Sequence, residues 1–227
     1  MDQMAEQLFE LGTPAIVCRW RLCSSTLPLE NRLLRALGKR KIAGAPVSRK
    51  LLAWAKQHLE WTLYSGSSEY PDGVLMVIID EQGQAVMTVG PYAALESSSL
   101  ASLIKRAQIS YHEAHKTGVA PETLWVVKNE TLYAGVEQGT FTSAVSLLVA
   151  DLARTLGIPV VYDSDLVEKV EHKQMAFDQV FLCSDEHGVI AADGYDTGRA
   201  QKFVQSYHTL LEKERKKIQA QHGSVGA

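Results

Sequence analysis

The sequence predicts an α/β (α+β) protein built in two parts, and three observations carry that reading. Two hairpins, Val74 to Val89 and Thr123 to Tyr133, each join β-rich runs across a polar turn. Stretches of helical period lie before, between and after them. A break at Gly90-Pro91-Tyr92 and Ser97-Ser98-Ser99 interrupts the pattern. It divides the chain into a smaller N-terminal α/β domain, 1–93, and a larger domain, 94–227, in which strands and helices alternate.

Taken in order, Ala15 to Leu22 alternates as a strand, and Pro28 opens a short helix that buries Leu29, Leu33, Leu34 and Leu37. Ser48 caps a helix whose apolar stripe is Leu51, Leu52, Trp54, Ala55, Leu59 and Trp61. After the first hairpin, Leu100, Leu103, Ile104, Ala107, Tyr111 and Ala114 keep a helical period up to Gly118. The second hairpin turns at Asn129-Glu130. Thr142 or Ser143 then caps a helix that Gly157 closes. Pro159 to Tyr162 is a strand, Asp165 to His172 a short helix, Gln179 to Cys183 and Val189 to Ala192 strands, and Thr197 to about Gln219 a terminal helix. Its basic run, Lys213, Arg215, Lys216 and Lys217, suits the negative end of a helix dipole.

Composition narrows the function classes. The chain has 227 residues, 46% of them hydrophobic and 22% charged, with a net charge of -3. That balance supplies no basic field for nucleic acid or an anionic membrane. Three scattered cysteines, Cys18, Cys23 and Cys183, fit a reducing compartment rather than a disulfide framework. Met1 to Glu10 carries acids and no apolar h-region follows, so a cytoplasmic location is expected. His112 and His115 stand three apart on one helix but lack the spacing of a zinc-protease motif and a third ligand; no metal site is expected.

One turn points to a ligand. Gly139 runs straight into a helix, and the first N–H groups of a helix are unpaired and sit at its positive end. Such a turn suits an anion, while the alternative is that Gly139 merely shapes a loop and Thr142 is an ordinary N-cap; the residues by themselves leave both open.

The stretch from Thr123 to about Leu211 also resembles a known family. In order it reads Leu124-Trp125-Val126-Val127-Lys128-Asn129-Glu130-Thr131-Leu132-Tyr133, then Gly139-Thr140-Phe141-Thr142, then Leu156-Gly157-Ile158, then Phe177-Asp178-Gln179-Val180-Phe181-Leu182-Cys183-Ser184. This series is similar to the large domain of the class IV aminotransferases, the fold-type-IV pyridoxal-phosphate group that includes branched-chain and D-amino-acid aminotransferases and aminodeoxychorismate lyase. The resemblance implies a two-domain fold, pyridoxal phosphate as cofactor, a homodimer, and transaminase or lyase chemistry on an amino acid or an aminated chorismate derivative. It places the cofactor phosphate on the main chain of Gly139, Thr140 and Phe141 and on the Ser184 hydroxyl. The nearest candidate for the imine-forming lysine is Lys105, with Tyr111 beside the ring. The sequence departs from the family in three places. Lys105 lies in a helix, Thr142 stands where the family has Arg, and the hairpin carrying the family's pyridine-binding Glu is shortened between Gly118 and Thr123. A non-catalytic descendant, binding a phosphate or metabolite or another protein, is the alternative expectation.

Overall fold

The computed structural model describes residues 10–223; the reading of Met1 to Phe9 lies outside them. Three strands form the first sheet: β1 (Pro14–Arg21), β4 (Val74–Asp80) and β5 (Ala85–Gly90), all antiparallel in the order β1-β4-β5. Ile16, Cys18 and Trp20 of β1 and Leu75, Val77 and Ile79 of β4 alternate into one face, as the two-residue period of a strand demands. Two helices cover that face, α1 (Glu30–Gly38) and α2 (Arg49–Gly66). A minimal ribbon, β2 (Lys41–Ile42) with β3 (Ala45–Pro46), joins them.

The second sheet has five strands in the order β10-β9-β6-β7-β8: β6 (Thr123–Lys128), β7 (Thr131–Ala134), β8 (Val160–Tyr162), β9 (Gln179–Ser184) and β10 (Gly188–Ala191). Only the β7–β8 pair is parallel. The middles of its inner strands β6 and β9 are continuous apolar runs because both faces are covered. Trp125, Val127, Phe181 and Cys183 face α4 (Ala144–Thr155) and α6 (Gly198–Gly223). Leu124, Val126, Val180 and Leu182 face α3 (Leu100–Thr117) and α5 (Leu166–Glu171). Buried Trp125 keeps its indole N–H satisfied by donating to Ser146 Oγ at 2.9 Å.

The fold class is therefore mixed α/β, as the sequence predicts, and several local details differ. Pro28 lies outside α1: the helix begins at Glu30, after Leu29 turns through a left-handed conformation (φ 63°). Trp61, expected inside, is 61% exposed, and the buried positions of α2 are Ala55 and Leu59. On α3 the buried residue is Ser110 rather than Tyr111, which is 55% exposed. Ser110 Oγ accepts the N–H of Glu122, so a polar residue there satisfies an incoming loop. Ser143, not Thr142, caps α4, accepting the N–H of Ser146. The terminal helix runs to Gly223, so the basic run lies about two to three turns before its end.

The two sheets meet along β1. Val17 pairs with Val119 in an isolated parallel bridge, and the N–H of Arg21 donates to the carbonyl of Asp185 at 3.0 Å. Gly118 ends α3 in a left-handed conformation (φ 63°), and a Cβ there would lie 1.9 Å from the carbonyl oxygen of Ala15. Glycine is required at that junction.

Candidate functional site

The crevice between the two sheets is narrow. Its lining includes Arg40, Arg106, Glu122, Phe141, Ser184 and Asp185, and the space left is about 30 Å³. That holds a water molecule or two, far below the several hundred Å³ of a small-molecule pocket.

A polar network fills it. The carboxylate of Glu122, with 6% of its side chain exposed, accepts a two-pronged contact from Arg106: Nε to Oε2 and Nη2 to Oε1, both 2.9 Å. This fork is the strongest geometry available to a guanidinium and a carboxylate. Ser184 donates its hydroxyl to the same Oε1 at 3.2 Å and accepts the N–H groups of Glu186 and His187 at 3.1 Å. His187 completes the network, its Nε2 3.8 Å from Glu122 and its Nδ1 3.3 Å from the Tyr92 hydroxyl. Burial holds the imidazole pKa below its ordinary value, against the pull of Glu122 and Glu186. Donor atoms of Glu122, Glu186 and His187 lie within 4.8 Å of one another. The Arg106 fork takes both oxygens of Glu122, however, and sets a positive charge where a cation would have to sit.

Asp185, directly after β9, sets its side chain against the first turn of α4. Its Oδ1 accepts the N–H of Val145 at 3.0 Å, and the N–H of Ala144 also donates to this carboxylate. Burial pushes the acid up to about 6, while the two N–H groups and the Arg40 charge pull it back. Arg40 donates to the carbonyl of Gly118 and lies 3.9 Å over the ring of Phe141. Burial lowers its own pKa.

A second cavity, of about 580 Å³, opens on the other side of Glu122 and Phe141, between α3, α5 and the loop from β7 to α4. Tyr111, His112, His115, Glu137 and Thr140 also line it, with no lysine in the lining. Tyr111 meets His115 edge to face at 4.7 Å.

The expected site residues are thus distributed over three places. Tyr111, Thr140 and Phe141 share the larger cavity. Ser184 belongs to the narrow crevice. Lys105 is exposed and lines a third hollow with Ile104, Met175, Phe177 and Tyr195. Gly139 is exposed, with φ 86° and nothing within 4 Å of a would-be Cβ, so it serves the turn rather than a close approach. The N–H of Thr140 donates to Glu137 within the turn, at 3.1 Å. Sequence reasoning missed Arg40, Arg106, Glu122, Asp185 and His187. Glu122 stands in the shortened segment before β6, where no carboxylate was expected. Asp185 directly follows the predicted Ser184.

This combination of a three-stranded and a five-stranded sheet with their covering helices is the fold of class IV aminotransferases and aminodeoxychorismate lyases. A candidate 4-amino-4-deoxychorismate lyase of Legionella pneumophila superposes with a TM-score of 0.55 at 13% identity, over 90% of this chain and 97% of that one. A hypothetical aminotransferase of Mycobacterium tuberculosis in its PLP-bound form gives 0.56 at 12% identity, over 88% and 89%. A fold IV-transaminase of Curtobacterium pusillum gives 0.57 at 11%, over 89% and 85%. Identities this low show the fold alone. No family of known sequences and no curated protein matches the chain. Among the described residues no helix is long and apolar enough to cross a membrane.

The residues present do not fit pyridoxal phosphate well. The crevice has no room for it, the Val145 amide at the start of α4 is taken by Asp185, and among the described residues the ligand-sized cavity presents no lysine amine.

Proposed function

We propose that this chain uses the fold as a non-catalytic, metabolite-binding module, with the cavity between α3, α5 and the β7–α4 loop as its ligand seat. One observation carries the reading: among the described residues, the lining of the cavity that gathers Tyr111, Thr140 and Phe141 holds no lysine. Imine chemistry with an aldehyde cofactor needs such an amine, whereas binding does not. An aromatic floor with a few polar groups at the rim suits a small organic ligand. The division of the chain into 1–93 and 94–227 is part of the same proposal, with the seat built by the second part and Arg40 reaching in from the first.

A second reading is favoured by Glu122, a buried carboxylate that lines both crevice and cavity. Here the chain is a pyridoxal-phosphate transaminase or lyase, a homodimer, with Lys105 as imine former and Tyr111 near the ring. Separating the two readings takes one measurement. The full chain is incubated with excess pyridoxal phosphate, desalted, and scanned for a visible imine band. No retained band is expected. A band that survives desalting and vanishes in Lys105→Ala would replace the binding module with the enzyme.

A further inference from the structure

The N-terminal turn of α4 has the physical makings of an anion site: N–H groups with no carbonyl partner in the preceding turn, the positive end of a helix dipole, and a nearby guanidinium. In this chain the anion comes from within. Asp185 reaches back from the end of β9 and accepts from Val145 at 3.0 Å and from Ala144. Its other charged and titratable neighbours are Arg40, Glu122, Cys18, Cys183 and Tyr207. Only about 30 Å³ remains free around it. We propose that Asp185 is a resident counter-anion that stands in for a ligand phosphate at the start of α4 and so bars phosphorylated ligands from that position.

Three physical consequences follow from the geometry. A phosphate would have to displace hydrogen bonds already made to an ionised group, which are stronger than neutral ones. It would bring two negative charges beside a carboxylate in a poorly solvated place. And it would need volume that the Asp185 side chain and the Ser184–Glu122 contact occupy. Burial raises the acid to about 6, so at pH 7.5 the group is charged and the bar is electrostatic as well as steric. Removing the side chain at position 185 would uncover the N–H groups of Ala144 and Val145 with Arg40 close by.

The inference goes beyond the choice of ligand seat, and its test uses inorganic phosphate, which forms no imine. Wild type, Asp185→Gly and Asp185→Ser are each titrated calorimetrically with phosphate at pH 7.5, and their melting temperatures are followed over the same range. Wild type is expected to give no saturable heat and no phosphate-dependent melting shift. Both variants are expected to bind at least about tenfold more tightly than any wild-type value, as an uncovered helix terminus beside an arginine would. At a phosphate concentration about ten times the dissociation constant, their melting temperature should rise by about 3 °C. Should Asp185→Gly fail to fold, Asp185→Ser, which keeps a short hydroxyl acceptor, carries the comparison. Phosphate binding by wild type as tight as by the variants overturns the proposal, and so does the absence of any gain in a folded variant. Either result leaves the cavity between α3 and α5 untouched as a ligand seat. A retained imine band in wild type, by contrast, would remove that seat's non-catalytic reading without deciding where inorganic phosphate goes.

Discussion

The crevice between the sheets and the cavity between α3 and α5 share four lining residues, Arg40, Val119, Glu122 and Phe141, yet one holds about 30 Å³ and the other about 580 Å³. What separates them is charge pairing. In the crevice Arg106 is forked onto Glu122 and Asp185 onto the start of α4, so its polar groups are turned toward one another. In the cavity Tyr111, His112 and His115 are exposed and make only ring contacts with one another. A polar group already satisfied inside the protein gains little from a ligand, whereas one facing solvent in a concave place is available to it. The crevice is thus structural and the cavity receptive, and substitutions should separate them by their effect on stability.

The largest contrast lies between two glycines. Gly118 seals the crevice end with φ 63°, and a Cβ would strike the Ala15 carbonyl oxygen. Gly139 lies at the cavity loop with φ 86° and open space around it. Both substitutions to Ala meet the left-handed penalty of about 1 kcal/mol, and only Gly118→Ala adds a backbone collision worth about 3 more. Urea denaturation should therefore show a loss of about 4 kcal/mol at 118 and about 1 at 139. Equal losses would mean that the junction yields, and that the crevice is not the rigid part of the molecule.

Next in size is Arg106→Leu. It strands the Glu122 carboxylate in a place with little access to water, and breaking such a pair costs about 3 kcal/mol. The expected result is that loss in denaturant, together with rescue by Arg106→Leu/Glu122→Gln, whose neutral amide no longer needs a counter-charge. A double variant no more stable than the single one would show that packing, not pairing, closes the crevice.

Asp185 gives a pH test with a definite sign. Its folded-state pKa, about 6, lies above the ordinary 3.8, so the folded chain binds the proton more tightly than the unfolded one. Its contribution is fully present below about pH 4 and is lost as pH rises through about 6. The difference amounts to on the order of 3 kcal/mol. Asp185→Asn, uncharged throughout, should flatten the stability profile between pH 4 and 6 relative to wild type. A variant profile that keeps the wild-type slope would assign that slope to other groups.

The same contrast explains what was legible in the sequence. The second hairpin was readable because its turn is local: Asn129 and Glu130 both adopt positive φ, 47° and 66°, as a two-residue hairpin turn requires. The apolar runs of β6 and β9 were readable as strands. The crevice was not readable, because its contacts join distant residues: Glu122 with Ser184, Arg19 with Glu113, Asp185 with Val145. No period or spacing encodes such pairs. Lys105 fell out of the site for a reason the helix itself supplies. With Leu103, Ile104 and Ala107 buried, a residue at 105 points away from the sheet. The Ser110–Tyr111 exchange had no sequence signal, since it depends on the Glu122 N–H arriving from another segment.

The smallest expected effect on stability falls on Tyr111, and it is the one that decides what the cavity is for. Its ring is 55% exposed and meets His115 at 4.7 Å and His112 at 6.1 Å without entering the core. Truncation at such a position should change stability by less than about 0.5 kcal/mol. A ligand seated against it would lose an aromatic wall, and affinity should fall about tenfold, the worth of one such contact of about 1.4 kcal/mol. The measurement pairs urea denaturation of Tyr111→Ala with a thermal-shift screen of amino acids and small aromatic acids against both forms. Binding lost while stability is kept would make the tyrosine a recognition residue. A stability loss near 2 kcal/mol would instead make it a structural prop, and the cavity would then join the crevice as a feature of packing.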